Sequence, residues 1–216
     1  MNELYWNNVK PLLKEVLQNC INEPLFKPFR LVGGTALSLQ IGHRMSVDID
    51  LFTDAEYGSI DFKAIREYLE FKYSFCDSRS LENVSFGTNF TVGNSIIDCV
   101  KIDLYYTDKF IEEAIIIENI KMATPNEIIA MKLDVILRGG RKKDFWDLHF
   151  YLNKMNVDEM ITLFKKRYPY NIDFDKIKNQ LVNFDIADTD FEPNCLLSKS
   201  WEIIKLDFYE FIQKTE

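Results

Sequence analysis

The segment that most constrains the fold reads LVGGTALSLQIGHRMSVDIDLF. The short run of residues 29–32, apolar except for Arg30, ends at Gly33 and Gly34, and a largely apolar stretch of helical character follows. Residues 47–52 then alternate apolar and acidic side chains with a period of two, which is typical of a strand. The segment therefore predicts a strand, a tight glycine turn, a helix and a second strand in succession.

Two aspartates lie one residue apart on the second predicted strand. Residues i and i+2 of a strand project from the same face, so Asp48 and Asp50 present two carboxylates side by side. Val47, Ile49 and Leu51 are then expected to face the core. Two close like charges repel, and a divalent metal with hard oxygen ligands is the simplest way to keep both ionised. The alternative is an edge strand with a polar outer face.

The double glycine is predicted to lie where a strand turns into a helix. Free N–H groups and the helix dipole at such a turn favour an anion, and glycine lets a phosphate approach the backbone closely. The alternative is a tight turn capped by Thr35, because Gly33, Gly34 and Thr35 match neither GxGxxG nor GxxxxGK[ST]. Combined with the acidic pair, the turn predicts a site for a metal-bound nucleoside triphosphate. Arg44 and Ser46 are predicted phosphate or sugar contacts.

A third carboxylate would complete such a site, and the strand SIIDCVKIDLYY offers Asp98 and Asp103. These two lie an odd number of positions apart and therefore project from opposite faces. Asp98 shares its face with apolar residues, whereas Asp103 shares its face with Lys101 and Tyr105. We predict Asp103 as the third acid, with a merely solvent-exposed role as the alternative.

Lys132 lies within an apolar stripe of a predicted helix. The stripe consists of Ile128, Met131, Val135 and Ile136, which recur at helical spacing. A lysine at this position either extends its ammonium group to solvent at the edge of the stripe or directs it at an anion in a cleft. The sequence leaves both alternatives open.

Asp144 and Asp147 follow the basic loop RGGRKK, residues 138–143. Asp144 is suited to the N-cap of the helix that begins there, and Asp147 to a surface ion pair with Lys143. The loop is either a solvated turn or a surface that holds a triphosphate or an RNA backbone, with Lys143 among the candidate contacts.

The remaining periodicity predicts an α/β (α+β) fold in two parts. Residues 1–122 are expected to form an α/β domain with a mixed sheet, and residues 123–216 a helical domain that completes the nucleotide site. The predicted elements of the first part are helices at 4–21 and 61–73, a β-hairpin formed by 86–91 and 95–106 around a turn at 92–94, and a strand at 115–120.

Composition excludes several classes of protein. No apolar run approaches the roughly 20 residues that span a bilayer, so we expect no membrane partner and a cytoplasmic location. A net charge of -8 argues against a broad nucleic-acid-coating surface, though not against a small basic patch. A zinc site is not expected from two histidines, His43 and His149, which we interpret as structural, and four cysteines without CxxC spacing.

Three runs together resemble a known family: GGTALSLQIGHRMSVDIDLF, VKIDLYY and EIIAMKLDVILRGGRKKDFWDLHFYL. Over about residues 28–153 the chain is similar to the AbiEii/AbiGii-type toxin family of nucleotidyltransferases, within the polymerase-beta-like superfamily. The resemblance implies a nucleotide site formed, by position, by Gly33, Gly34, Thr35, Asp48, Asp50, Lys132 and Asp144, with Asp147 as a weaker addition.

The resemblance also implies a chemistry. Asp48 and Asp50 would hold Mg²⁺ (or Mn²⁺), and Asp103 would help to deprotonate a hydroxyl that attacks the α-phosphate of an NTP. In some toxins of this kind the acceptor is a tRNA end, and a cognate antitoxin is a further expected partner. An antibiotic-like small-molecule nucleotidyltransferase and a non-catalytic nucleotide-binding module are the alternatives.

Overall fold

The computed structural model describes residues 3–78, 86–170 and 176–214. The chain divides into two units. The first consists of residues 1–40 and 46–123, and the second of residues 41–45 and 124–216. The sequence places a single boundary at residue 122, whereas the structure assigns the short segment Ile41–Met45 to the second unit as well. The assignment of the two parts as domains, with the second completing the nucleotide site, stays a prediction.

Within the described residues, the first unit is built on a seven-stranded sheet. Its strands are β1 Arg30–Val32, β2 Asp48–Thr53, β3 Phe75–Ser78, β4 Gly87–Ser95, β5 Asp98–Tyr106, β6 Ile115–Ile117 and β7 Ile120–Met122. They lie in the order β3-β4-β5-β2-β1-β7-β6. β2 pairs in parallel with β5 and β1 with β7, while the other pairs are antiparallel. The predicted α/β class with a mixed sheet is therefore confirmed.

Among its described residues, the first unit also contains the helices α1 Pro11–Asn22, α2 Gly33–Ile41 and α3 Phe62–Lys72. The prediction of one helix from residue 4 was wrong at its start. A 3₁₀ turn, Trp6–Asn8, comes first, and α1 begins at Pro11. Proline lacks a backbone N–H, so it can start a helix but not continue one.

Two turns differ from their predicted places. The β4–β5 hairpin turns at residues 96–97, and Gly93 lies inside β4. A Cβ on Gly93 would clash with the Asp98 carbonyl oxygen, so this glycine permits close strand packing at an irregularity in the register. The predicted strand 115–120 is instead the hairpin β6–β7, which turns at Glu118 and Asn119 with positive φ.

The second unit contains α4 Pro125–Leu137, α5 Lys142–His149, α6 Val157–Arg167, α7 Lys176–Gln180 and α8 Trp201–Gln213. Thr124 caps α4, because its side chain accepts a hydrogen bond from the Glu127 N–H. Rings from α5, α8 and the segment before the 3₁₀ turn Ala187–Thr189 form the aromatic core: Phe145, Phe184, Trp201 and Phe208. The predicted helical character of the C-terminal part agrees with these elements. Across the described residues, the structure contains no helix long and apolar enough to cross a membrane.

Candidate active site

Thr35 joins the start of α2 to the start of β2 within the first unit. Its buried hydroxyl donates to the Asp48 carbonyl oxygen and lies 2.7 Å from the Ser46 Oγ. A hydroxyl has one proton, so Ser46 must be the donor in the second hydrogen bond. Thr35 and Ser46, which were predicted to contact the nucleotide, thus hold the chain leading into Asp48.

Gly33 brings the turn against the carboxylate of Asp50. Its φ is +66°, a left-handed conformation, and a Cβ at this position would clash with the Asp50 Oδ2 and lie 3.1 Å from the Asp50 Cγ. Glycine is therefore required here for two reasons, backbone conformation and space. The first turn of a helix has N–H groups without intrahelical partners and favours negative charge. The beginning of α2 and one of the paired acids consequently share one site.

We expect Gly33→Ala to lower the free energy of unfolding by about 3 kcal/mol, because the new methyl group adds a clash with Asp50 to backbone strain. Gly58→Ala is the matched control. Gly58 also has a left-handed φ, +84°, but no atom would lie within 4 Å of a methyl group added there. Strain alone should cost the control about 1 kcal/mol. Urea unfolding of both variants measures the difference, and equal losses would contradict the close approach to Asp50.

Asp103 lies beside the acidic pair because β5 runs parallel to β2. Asp50 is opposite Asp103, and Asp48 is opposite Lys101. Residues opposite each other in a sheet project from the same face. Asp48, Asp50 and Asp103 therefore share one face of the sheet, while the neighbours of the aspartates on β2, Ile49 and Leu51, are buried on the other.

Val47 was predicted to face the core, and this was wrong. Its side chain is 59% exposed, because Val47 precedes β2 and the alternation of faces begins only at Asp48. Asp98 is exposed at the first position of β5, on the face opposite that of Asp103. The predicted division of the two candidate third acids between the faces agrees with this register.

Lys101 is a basic neighbour of the three acids whose role the sequence did not indicate. Its ammonium group lies 2.6 Å from the Asp103 Oδ2. Burial lowers the pKa of Lys101, but the hydrogen bond and charge of Asp103, with the charges of Asp48 and Asp50, outweigh burial and raise that pKa. The sequence signal that could have indicated this role is a lysine two residues before an acid on the same predicted strand. In the part of the chain described here, no three His, Cys, Asp or Glu side chains form a ready metal site.

Asp147 is the centre of a second cluster, which lies within the second unit. Its Oδ1 accepts hydrogen bonds from His43 Nε2 and Arg44 Nε, both at 2.7 Å. Its Oδ2 accepts from Arg44 Nη2 at 3.0 Å and lies 2.6 Å from Lys132 Nζ. The predicted surface ion pair with Lys143 was wrong, because Asp147 is fully buried.

The protonation states in this cluster follow from its charges. Burial raises the pKa of Asp147, but Arg44 and Lys132 outweigh burial and hold the pKa well below its usual value. Burial lowers the pKa of His43, although Asp147 opposes this. His43 Nδ1 has no hydrogen-bond partner among the described residues, so a neutral ring with its proton on Nε2 fits best. Asp147 is thus an anion held by two cations and one neutral donor.

Lys132 also lies 2.6 Å from the Asp144 Oδ1. The solvent-facing alternative for its ammonium group was wrong, because the side chain is buried and pairs with the carboxylates of Asp144 and Asp147. Asp144 is not the N-cap of α5, which is Arg141. It occupies the third helical position, where its Oδ2 accepts the Arg141 N–H. A role for Lys132, Asp144 or Asp147 at a nucleotide stays a prediction.

The basic loop is engaged in local ion pairs. Arg138 binds Asp134, Arg141 binds Asp190, and Lys142 lies 3.8 Å from Glu192. The conformation of the loop depends on Gly139 and Gly140, which both have positive φ. His149, predicted to be structural, lies 2.6 Å from Asp207.

A family model for the nucleotidyl transferase AbiEii toxin of type IV toxin–antitoxin systems matches residues 15–213. The chain belongs to this family. An uncharacterized protein of Aquifex aeolicus (strain VF5) is 32% identical over 179 residues, which cover 81% of this chain and 82% of the relative.

Solved structures share the fold of this AbiEii-family chain. A proposed nucleotidyltransferase from Helicobacter pylori has a TM-score of 0.61 at 21% identity, with 95% of this chain and 94% of the other covered. MenT4, a nucleotidyltransferase toxin of Mycobacterium tuberculosis H37Rv, has a TM-score of 0.55 at 14% identity, with 94% and 84% covered. At these identities the likeness concerns the fold alone.

The AbiEii resemblance inferred from the three sequence runs is confirmed, and it extends well beyond residues 28–153. Nucleotidyl transfer is accordingly the activity class of the chain. Family membership does not assign roles to individual residues of this AbiEii protein, and these depend on the geometry of the two clusters.

Proposed function

We propose that the protein transfers a nucleoside monophosphate from an NTP to a hydroxyl acceptor, with Mg²⁺ (or Mn²⁺) as cofactor. One observation carries this proposal: the Asp50 carboxylate lies at the Gly33 turn, and Asp103 is opposite Asp50 in the sheet. Phosphate-binding backbone, paired carboxylates and a third acid are the parts that this reaction needs.

The donor atoms fit a hard divalent ion. Carboxylate oxygens are the ligands that Mg²⁺ prefers, and Asp48 and Asp50 supply them from one strand face. Such an ion would stabilise negative charge on the phosphate oxygens. Thr35 and Ser46 fix the backbone before Asp48, so the two carboxylates are held on a rigid element.

Asp103 is proposed to accept the proton of the attacking hydroxyl. Lys101 binds its Oδ2, which leaves Oδ1 as the oxygen for that transfer. The acceptor would be RNA, with a tRNA end as our specific proposal. A cognate antitoxin protein is the partner that membership of a toxin–antitoxin family supports.

The direct test incubates the protein with each of the four α-labelled NTPs, Mg²⁺ and total tRNA. Label attached to tRNA, mapped to its position by sequencing, would support the proposal. Label in a small acid-soluble product other than the nucleotide itself would favour an antibiotic-like acceptor. NTP binding by calorimetry without incorporation into either fraction would favour a non-catalytic nucleotide-binding module.

The ion pair between Lys101 and Asp103 is the observation that favours the non-catalytic alternative, since it occupies the third acid. Lys101→Met tests whether the three acids form the metal site. If the three acids are the metal site, removing this nearby positive charge should tighten Mn²⁺ binding about tenfold. Electron paramagnetic resonance titration measures free Mn²⁺, with the exposed Lys72→Met as control. Unchanged or weaker Mn²⁺ binding in Lys101→Met would place the metal elsewhere.

A further inference from the structure

The first unit contains a cavity of about 200 Å³ that is separate from the acidic residues. The end of α1, the 3₁₀ turn Pro24–Phe26, strands β1 and β2 and the β6–β7 hairpin all contribute to its lining. From β2 it is Leu51, not Asp50, that lines the cavity. Since neighbouring residues of a strand face opposite sides of the sheet, the cavity lies on the reverse face of the strand that carries the acids.

The inner wall of the cavity is apolar. Phe26, Phe29, Leu31 and Leu51 line it and are each at least nine-tenths buried. The two phenylalanine rings lie 6.2 Å apart between centroids with an interplanar angle of 48°, which is a tilted contact between them. Such a wall suits a third ring in a tilted or edge-to-face arrangement.

Cys20 also lines the cavity, but its chemistry excludes covalent capture of a ligand. The thiol is buried, and burial raises the pKa of Cys20 to about 12. The thiolate is the nucleophilic form of cysteine, and it is scarcely populated near neutral pH at such a pKa. Cys20 is therefore not suited to form a covalent bond with a ligand near neutral pH.

The rim of the cavity is cationic. Lys27 and Lys121 line it, together with the exposed amide of Asn119. The acid closest in sequence to Asn119 is engaged elsewhere, since Glu118 accepts hydrogen bonds from Trp6 and Leu4. Throughout residues 3–78, 86–170 and 176–214, neither rim lysine forms an ion pair. A rim of this kind complements a ligand that carries one negative charge.

The size of the cavity limits the ligand to a single ring with a small substituent. An apolar cavity of about 150 Å³ accommodates benzene, whereas drug-sized ligands need at least about 300 Å³. We propose that this cavity binds a small aromatic carboxylate, with the ring packed against Phe26 and Phe29 and the carboxylate at Lys27, Lys121 and Asn119. The site is distinct from the proposed nucleotide site, and its test does not depend on transferase activity.

Benzoate is the probe, and benzyl alcohol is its neutral counterpart of nearly the same shape. Saturation-transfer NMR titrations of the full-length chain should show that benzoate binds at least fivefold more tightly than benzyl alcohol. Lys27→Gln combined with Lys121→Gln should weaken benzoate at least fivefold and leave benzyl alcohol unchanged. Lys27 is exposed and Lys121 is only half-buried, so the double variant should fold normally. Lys72→Gln, an exposed lysine outside the cavity, is the matched charge control.

Ile21→Trp tests the location independently. Ile21 lines the cavity at the end of α1 and is half-buried, so a larger ring there should fill the space without breaking the core. Binding of both probes should then fall at least tenfold. The proposal is overturned if benzoate does not bind the unmodified chain, if both probes bind it equally, or if Ile21→Trp leaves benzoate binding intact.

Discussion

Asp48→Asn and Asp50→Asn should each lower kcat/KM for nucleotidyl transfer by at least about 10³-fold, which corresponds to about 4 kcal/mol of transition-state stabilisation. The amide keeps the shape of the carboxylate but removes the charge that a divalent ion requires. Loss of the ion would remove several kcal/mol of transition-state stabilisation. The labelled-NTP assay at saturating acceptor measures the change, and Mn²⁺ titration of the same variants measures the metal directly.

The control for these variants is Asp98→Asn. Asp98 lies on β5 like Asp103 but is exposed on the opposite face, where it accepts a hydrogen bond from Asn94. Its replacement should leave transfer within about twofold of the unmodified chain. A large loss of activity in Asp98→Asn, or normal rates in either Asp48→Asn or Asp50→Asn, would contradict the assignment of the acids.

Stability gives a second readout for the acidic pair. Neighbouring carboxylates on one strand face repel each other when no cation is bound. Neutralising Asp48 or Asp50 should therefore leave the free energy of unfolding unchanged or slightly higher in metal-free buffer. A marked loss of stability would instead indicate that these acids serve the fold, and the loss of activity could then not be attributed to chemistry.

The placement of the acidic residues on one strand face could be predicted from the sequence because this geometry is local. The period of two places Asp48 and Asp50 on one face without knowledge of any other element. The choice of Asp103 over Asp98 also needs only the alternation along β5. The residue opposite Asp50 in the sheet could not be predicted, because the pairing of Asp50 with Asp103 depends on a parallel register between strands that are distant in the chain.

The position of Asp147 was harder to predict for the same reason. Asp147 pairs with His43 and Arg44, which lie more than a hundred residues earlier in the chain. Asp147 resembles an ordinary surface charge when only its own helix is considered. A buried charge needs partners, and nothing in the local pattern of α5 indicates that these partners come from the segment between α2 and β2.

Asp147→Asn should lower the free energy of unfolding by about 3–5 kcal/mol, because it removes the carboxylate that neutralises buried Arg44 and one of the two carboxylates that neutralise Lys132. Arg44 and Lys132 both depend on Asp147, and both are buried. Urea unfolding followed by circular dichroism measures the loss. The matched control is Asp158→Asn, whose exposed pair with Lys178 should contribute less than about 1 kcal/mol.

A double-mutant cycle identifies the cause of that loss. Asp144→Asn should be less damaging than Asp147→Asn, because Lys132 keeps Asp147 as its partner and the new amide can still accept the Arg141 N–H. Adding Arg44→Met to Asp147→Asn should restore part of the stability, since the buried guanidinium group that Asp147 neutralises is removed with it. Strictly additive losses would show that the charges in this cluster are not coupled.

The effect of Asp147 should also depend on pH in a defined direction. Its pKa in the folded chain is well below the usual value, whereas an unfolded aspartate titrates near about 4. The stabilisation is therefore fully present above the unfolded pKa and is lost as the pH falls towards the folded pKa. The gap in unfolding free energy between the unmodified chain and Asp147→Asn should be constant from about pH 6 to 7 and narrow below about pH 4. A gap that stays constant down to about pH 3 would mean that Asp147 owes its stabilising effect to packing and not to its charge.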